Sequence, residues 1–217
     1  MGLILHQIES SPPVRAVRLC LAELQLEAEY RLCKLVDREH LTPEYLEKNP
    51  QHTVPTLEDG DFIIWDSHAI NGYLVSIYGK NDALYPKDPR VRALIDQRLH
   101  FDSGVLFPTV RDLAMSVMVD KVKAFREKDK QKGREALEFV EKFLTGRKFI
   151  TGDTFNIADF SVYSSTSALL DLLQESDKFP TLKSYIDRCQ STFKDGPNDV
   201  QRLYGLLKFF QIKMSEG

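Results

Sequence analysis

Residues 51–74 of the chain read QHTVPTLEDGDFIIWDSHAINGYL. The stretch contains two short runs rich in β-forming residues, TVPTL and FIIW, which are separated by the pair Asp59-Gly60. This dipeptide is typical of a tight turn between antiparallel strands. Pro55 cannot donate a hydrogen bond to a sheet, so it belongs at the start of a strand or at a sheet edge. The stretch therefore predicts a β-hairpin with the backbone of Val54 left unpaired beside it.

The residues after the hairpin predict a helix that begins at Asp66-Ser67, with Ser67 as its N-cap. Four of the following apolar residues recur at helical spacing: Ile70, Tyr73, Leu74 and Ile77. Free backbone N–H groups at a helix N-terminus favour a bound anion. Taken alone, these residues fit either a binding site for a peptide with a carboxylate or an ordinary strand edge and helix start.

The first fifty residues predict two more strands and two more helices. Residues 3–8 form a short apolar run that is typical of a buried strand, and residues 29–35 form a second one. A short helix is expected to begin at Thr42-Pro43. The order of strand, helix, strand, helix, hairpin and helix indicates a small α/β domain with a mixed sheet.

The first of these helices is expected to follow Ser11-Pro12-Pro13. Proline is tolerated in a first helical turn because its missing N–H would have no partner there. Ser11 is then the predicted N-cap. The apolar stripe of the helix consists of Val14, Val17, Leu21 and Leu24. This stripe leaves Arg15 and Arg18 largely on the polar side of the helix.

The composition changes after residue 78. Residues 79–89 are polar and rich in turn-forming residues, as in a connector between domains. Beyond them the periodicity predicts helices only, and the first long helix should kink near residues 104–108 because Pro108 lies inside it. The chain is therefore predicted to comprise an α/β domain at residues 1–78, a linker and an all-helical domain at residues 90–217.

Residues 155–160 contain a strong signal for a helix start. Asn156 is the predicted N-cap, and Asp159 can return a hydrogen bond to the backbone N–H of Asn156. Phe155 can pack on Phe160 as a hydrophobic staple. The nearly continuous apolar run that follows predicts a helix at the centre of the bundle.

Composition excludes several functional classes. The chain has 217 residues and a net charge of -3, which gives no reason to expect a nucleic-acid or membrane-surface partner. No apolar run is long enough to span a bilayer, and the first residues do not have the pattern of a signal peptide, so a cytoplasmic location is expected. Cys20, Cys33 and Cys189 are far apart and form no CxxC pair, which favours buried core residues over a zinc or dithiol site.

Five motifs occur in this chain in the order and at the spacing found in one family: Ser11-Pro12-Pro13, residues 49–55, residues 66–70, Leu84-Tyr85-Pro86 and residues 156–159. The chain resembles a cytosolic glutathione transferase over nearly its whole length, and most closely the insect epsilon class and its delta relatives. The resemblance implies a thioredoxin-like N-terminal domain, an α-helical C-terminal bundle and a homodimer. It also implies an enzyme that conjugates glutathione to hydrophobic electrophiles in xenobiotic detoxification, a role associated with insecticide resistance.

The resemblance assigns the glutathione site residue by residue. It makes Ser11 the catalytic hydroxyl and Pro55 a cis-proline. It places Val54 against the cysteinyl backbone, Asp66 and Ser67 at the γ-glutamyl end, and two histidines near the glycyl carboxylate. The full glutathione-binding set is His40, His52, Thr53, Val54, Pro55, Asp66, Ser67, His68 and Arg111.

A second substrate site is expected between the two domains. The resemblance places seven apolar residues there: Ile8, Pro13, Leu35, Phe107, Val110, Ala114 and Met118. An apolar lining suits hydrophobic electrophiles, although the same pattern would also serve core packing. The resemblance implies no metal and no permanently bound cofactor, since glutathione is a co-substrate.

The chemistry expected of Ser11 is hydrogen-bond donation to a thiolate. A free thiol has a pKa of about 8.5 and is only slightly ionised at neutral pH. A hydrogen bond to a charged group contributes about 1.5–3 kcal/mol, which would lower that pKa by about one to two units. This role needs no histidine base, unlike that of a hydrolase serine, and a serine at position 11 also disfavours a cysteine-dependent reductase. The alternative is a non-catalytic protein of the same fold that binds hydrophobic ligands, which turnover measurements would distinguish.

Overall fold

A computed structural model describes residues 2–216 of the chain. The first part contains a four-stranded sheet and three α-helices. Its elements are β1 (Leu3–Gln7), α1 (Pro12–Leu24), β2 (Ala28–Leu32), α2 (Pro43–Lys48), β3 (Thr56–Asp59), β4 (Phe62–Trp65) and α3 (Ser67–Tyr78). The strand order is β2-β1-β3-β4, with β1 parallel to β2 and both other pairs antiparallel. The predicted mixed α/β arrangement is confirmed.

The two faces of this sheet have different partners. The side chains of Leu5 and Leu57, which are opposite each other on β1 and β3, are fully buried in the same apolar core as residues of α1 and α3. Toward α2 the sheet presents polar residues: His6 packs edge-on against Tyr45, and Lys48 Nζ lies 3.0 Å from Glu58. Helices therefore cover both faces of the sheet. A ligand could reach the sheet only at the ends of its strands.

The predicted hairpin is confirmed, but its first strand begins later than expected. Asp59 and Phe62 are the last paired residues before the turn, and Gly60 has a φ of 63° that favours glycine. The strand β3 begins at Thr56 because Pro55 has no N–H to pair, and the Val54-Pro55 peptide is cis, as the resemblance implied. The second strand was also predicted too long: β2 ends at Leu32 and a short 3₁₀ turn follows.

Two predicted helix caps differ in the structure. The N-cap of α3 is Asp66, not Ser67, because Asp66 Oδ1 accepts hydrogen bonds from the backbone N–H groups of His68 (2.9 Å) and Ala69 (3.1 Å). Ser11 occupies the N-cap position of α1, but its hydroxyl makes no capping hydrogen bond. Two prolines follow Ser11, which removes the first backbone donors that a cap would accept from.

The second part of the chain is all-helical, as predicted. Its helices are α4 (Pro89–Phe101), α5 (Phe107–Met118), α6 (Glu127–Leu144), α7 (Ile157–Leu173), α8 (Pro180–Thr192) and α9 (Gly196–Glu216). All residues of α7 except Asp171 are buried, so α7 is the centre of the bundle. The predicted capping box at its start is confirmed: Ala158 N donates to Asn156 Oδ1 (3.0 Å), and Asn156 N donates to Asp159 Oδ2 (3.0 Å).

The predicted kink between α4 and α5 takes the form of a π-helical turn at Asp102–Leu106. Pro108 is the second residue of α5, but the backbone is helical through Leu106 and Phe107, so its missing N–H lies inside a continuous helix just after the widened turn. The interruption therefore lies at or just before the predicted position, and its cause is a widened turn ahead of the proline.

Arg15 is the main departure from the predicted core. The helical pattern placed it on the polar side of α1, yet its side chain is fully buried. Its Nε lies 3.0 Å and its Nη2 2.6 Å from the carboxylate of Asp199, while Nη1 donates to the carbonyl of Ser164 (3.1 Å). Burial lowers the pKa of Arg15, but Asp199 raises it by more, so the guanidinium stays charged. This ion pair joins α1 to α7 and α9 across the two parts of the chain.

Replacing Asp199 by Ala should lower the free energy of unfolding by about 3–5 kcal/mol, because the Arg15 charge would remain buried without its partner. The double change Arg15→Met with Asp199→Leu should recover much of this loss, since apolar groups can replace a buried ion pair. Urea denaturation measures both. As a control, Asp129→Ala breaks an exposed pair with Arg126 and should leave the urea midpoint unchanged. Equal stability of Asp199→Ala and the wild type would contradict the role of this ion pair.

Candidate functional site

Three segments meet at one end of the sheet. His6 of β1 pairs with Thr56 of β3, and Thr56 pairs with Trp65 of β4. The residues that follow β1, precede β3 and follow β4 therefore lie side by side. This register brings the segment ending at Ser11 to the same edge as Val54 and the start of α3.

The Val54 backbone is free, as predicted. Within residues 2–216, neither its N–H nor its carbonyl makes a hydrogen bond to another part of the chain. The adjacent Thr53 is held firmly, since its carbonyl accepts hydrogen bonds from Tyr45 OH (2.7 Å), Asn49 Nδ2 (3.0 Å) and Thr56 Oγ1 (3.1 Å). A rigid segment thus presents one unpaired donor and one unpaired acceptor, which an extended peptide can use.

The start of α3 presents polar groups that could bind the charged end of a ligand. Asp66 is exposed and adopts a φ of 74°, and only its Oδ1 serves as the helix cap. Ser67 is the first residue of α3, so its N–H needs no partner within the helix. The second carboxylate oxygen of Asp66 and the N–H of Ser67 are complementary to an ammonium group next to a carboxylate.

His40 and His52 lie close together on the segment between β2 and β3, with their ring centroids 6.0 Å apart. Burial, with help from His52 and Arg38, lowers the pKa of His40. The Nδ1 atom of His40 is buried and has no hydrogen-bond partner among the described residues. Because Nδ1 is closed to a ligand, His40 could reach an anion only through its other ring nitrogen, Nε2.

His68 is engaged within the protein. Its Nε2 lies 2.9 Å from Asp102 Oδ2, which joins the first turn of α3 to the π-helical turn. Burial lowers the pKa of His68, but the hydrogen bond to Asp102 and the charge of that carboxylate outweigh burial, so the net shift is upward. The side chain of His68 therefore holds the N-terminal turn of α3 against the π-helical turn.

A cleft of about 580 Å³ opens beside Ser11, between the two parts of the chain. Eight of the residues assigned from the sequence line it: Ile8, Ser11, Leu35, Phe107, Val110, Arg111, Ala114 and Met118. Pro13 does not line the cleft, and Pro12 lies there in its place. Of the residues assigned to glutathione, only Arg111 contributes to this lining, so the cleft and the sheet edge are two neighbouring parts of one site.

Sequence reasoning missed one whole wall of this cleft. The residues of α9 that form it are Gln201, Arg202, Gly205, Leu206, Phe209 and Phe210. The apolar periodicity identified a helix in this region but not where it packs, because α9 is brought to α1 by the long-range contact between Arg15 and Asp199. The remaining lining residues are neighbours of assigned ones: Glu9, Ser10, Leu32, Cys33, Lys34 and Val36.

The surroundings of Ser11 fit a donor better than a nucleophile. Its hydroxyl is not used as a helix cap, and Ser11 opens onto the cleft. No histidine is among the described residues that line the cleft, so Ser11 has no adjacent imidazole base. A serine without a base can still donate its O–H to an anion.

Other classes of site are absent from residues 2–216. They contain no group of three or more His, Cys, Asp or Glu side chains placed to hold a metal ion. Cys20, Cys33 and Cys189 are free and buried, as predicted. None of the helices in this range combines the length and apolar character that a membrane crossing requires.

Comparison with known proteins gives one family. The N-terminal domain of glutathione S-transferases matches residues 5–82, and their C-terminal domain matches residues 94–192. The chain is similar to Glutathione S-transferase 1 of Manduca sexta, with 44% identity over 192 residues that cover 87% of this chain and 88% of the relative.

Solved structures agree with this match. An epsilon-class glutathione S-transferase from the housefly, Musca domestica, is similar with a TM-score of 0.92 and 41% identity, covering 97% of this chain and 98% of that one. A glutathione transferase homologue from Drosophila mojavensis, solved with bound glutathione, has a TM-score of 0.90 and 41% identity over 99% of this chain and 97% of that one.

The contact between His68 and Asp102 predicts a pH-dependent contribution to stability. Because folding raises the pKa of His68, its contribution is full below the unfolded value of about 6.5 and is lost as pH rises through the folded value. The difference in unfolding free energy between the wild type and His68→Asn should therefore shrink as the pH rises above about 6.5. Urea denaturation across this range measures it, and in an Asp102→Asn background the difference should lose this pH dependence. A difference that grows with pH would contradict the assignment.

Proposed function

Because the chain belongs to the glutathione S-transferase family, in its insect epsilon and delta branch, we propose which of its residues carry out the conjugation of glutathione. The protein is a glutathione transferase with a thioredoxin-like N-terminal domain and a helical C-terminal domain. We place the boundary between these domains in the linker at residues 79–89, which separates α3 from α4. The residues that act on the substrates lie in three places: along the free sheet edge, at Ser11 and in the cleft.

Glutathione binds along the free sheet edge. The observation that carries this proposal is the unpaired backbone of Val54, which lies between the firmly held Thr53 and the cis-Pro55. The Val54 N–H and carbonyl pair with the backbone of the cysteinyl residue, as a strand pairs with a sheet edge. This pairing fixes the direction of the tripeptide and points its sulfur toward Ser11.

The two ends of glutathione are bound through their charges. Asp66 accepts hydrogen bonds from the γ-glutamyl ammonium group, and Ser67 at the start of α3 donates to the adjacent carboxylate. His40 and His52, whose ring centroids lie 6.0 Å apart, donate to the glycyl carboxylate at the other end. His68 acts indirectly, because its contact with Asp102 supports the start of α3.

Ser11 stabilises the thiolate of bound glutathione. Its hydroxyl donates a hydrogen bond to Sγ, and the lost thiol proton goes to solvent. The thiolate then forms a bond from sulfur to the electrophilic carbon, and a leaving group departs with its electron pair or a double bond takes up a proton. A thiol pKa lowered by about one to two units makes a large fraction of bound glutathione reactive at neutral pH.

Hydrophobic electrophiles occupy the cleft beside Ser11. Its lining is mostly apolar, with Phe107, Val110 and Met118 on one side and α9 on the other. Arg111 is exposed in the cleft and makes no ion pair with another described residue, so its guanidinium is available to the charged parts of either substrate. The proposed role is detoxification of apolar compounds, insecticides included, with glutathione as the only co-substrate.

A cytoplasmic location fits the cysteine chemistry. The three cysteines are buried and unpaired, as is usual where thiols are kept reduced. Glutathione is the soluble thiol of such a compartment.

Ser11→Ala should lower kcat/KM for a chlorodinitrobenzene substrate by about 10- to 100-fold near neutral pH, because the thiol pKa of bound glutathione would rise by about one to two units. Ultraviolet absorbance of the thiolate, titrated with bound glutathione, measures this pKa directly. Ser10→Ala is the matched control, since Ser10 is the adjacent serine and also lines the cleft. Unchanged activity and thiol pKa in Ser11→Ala would refute the role of Ser11.

The protein should form a homodimer through apolar residues that are exposed in the single chain. Ile77 of α3 and Val91 of α4 are 59% and 45% exposed, which favours burial against a second copy. Sedimentation equilibrium should give about twice the chain mass of 24.9 kDa. Val91→Glu should shift the protein toward the monomer, because a charge would have to be buried. A wild type that stays monomeric at micromolar concentration would contradict the proposal.

A further inference from the structure

The wall of the cleft formed by α9 contains a gap. Gln201, Gly205 and Phe209 follow one another at four-residue spacing on the cleft side of this helix. Gly205 has no side chain, so the lining is interrupted between the amide of Gln201 and the ring of Phe209. The gap faces the space in which the electrophile is bound.

The fold does not require a glycine at this position. Gly205 lies inside a 21-residue helix and is not among the residues with positive φ. A Cβ atom added to it would meet no atom of a neighbouring segment within 4 Å. At Gly133 of α6, by contrast, an added Cβ would lie 2.9 Å from a side-chain atom of Leu173, so packing explains that glycine. A glycine inside a helix makes the helix less stable than an alanine would. Because helix stability and packing do not explain Gly205, the feature that a side chain at this position would change is the cleft.

The helix around Gly205 is held in place on both sides. Before it, Asp199 is bound to the buried Arg15, and Arg202 Nη2 lies 2.7 Å from Asp195. After it, Phe210 is buried in the core. Because α9 is fixed at these points, a side chain added at position 205 would project into the cleft and could not be accommodated by a shift of the helix.

We propose that Gly205 determines the size of the electrophile that the cleft accepts. The gap takes a bulky apolar group, such as a phenyl ring or a branched alkyl chain, attached to the carbon that glutathione attacks. This inference rests on the proposed function of the cleft as the electrophile site. Gly205 is then a specificity-determining position, because its missing side chain leaves room in the cleft for part of the substrate.

The test compares two enones with the same reacting group, methyl vinyl ketone and its phenyl-substituted analogue benzylideneacetone. In each reaction the thiolate bonds to the β-carbon, and the α-carbon takes a proton from solvent. The ratio of kcat/KM for the phenyl compound to that for the small compound should fall about tenfold or more in Gly205→Leu and less in Gly205→Ala. The KM for glutathione should not change, because the sheet edge is untouched.

Gln211→Leu is the matched control, since Gln211 is an exposed residue of α9 outside the cleft. Its ratio should equal that of the wild type. Gly205→Ala should also raise the melting temperature by about 2–4 °C, which separates a change in the cleft from damage to the fold. A wild-type ratio in Gly205→Leu would overturn the proposal.

A second readout separates this inference from the function on which it rests. If the wild type conjugated neither enone, the proposed function would fail. Binding of the apolar fluorescent dye anilinonaphthalene sulfonate would then still report the space in the cleft. Its affinity should be lower in Gly205→Leu than in Gln211→Leu, and equal affinities would overturn the proposed role of Gly205.

Discussion

The ion pair between Arg15 and Asp199 is the constraint on which the site depends. A buried guanidinium is costly unless a carboxylate compensates its charge, so α1 and α9 must meet in one register. The backbone of Arg15 lies one helical turn after Ser11, since Arg15 N donates to the carbonyl of Ser11 at 2.9 Å. The same contact therefore holds both the start of the helix that presents the serine and the helix that forms the opposite wall of the cleft.

The proposed glutathione site gathers polar groups that the rest of the fold leaves unpaired. The backbone of Val54 and the hydroxyl of Ser11 lack partners within the described chain, whereas the carbonyl of Thr53 accepts three hydrogen bonds. Unpaired polar groups cost free energy unless a ligand or solvent satisfies them. Their occurrence together at one sheet end supports the proposal that this end binds a ligand.

The cleft proposed for the second substrate is a different kind of surface. The cleft is lined mainly by apolar side chains from α5 and α9, and of the residues assigned to glutathione chemistry only Ser11 and Arg111 line it. In the proposed function the two substrates therefore depend on separate elements: the sheet edge would bind a constant peptide, while helix positions such as Gly205 would vary the space offered to the electrophile. This separation allows specificity to change without loss of glutathione binding.

The sequence by itself determined the features that depend on neighbouring residues. Asp59-Gly60 specified the hairpin, Asn156 and Asp159 specified the start of the central helix, and the spacing of the motifs identified the family. Only the tertiary structure decided that Arg15 is buried, that α9 lines the cleft and that His68 binds Asp102. The physical reason is range: turns and caps are satisfied within a few residues, whereas Arg15 and Asp199 are 184 positions apart. A helical pattern shows which residues share a face, but the partner of that face is set by the packing of the whole chain.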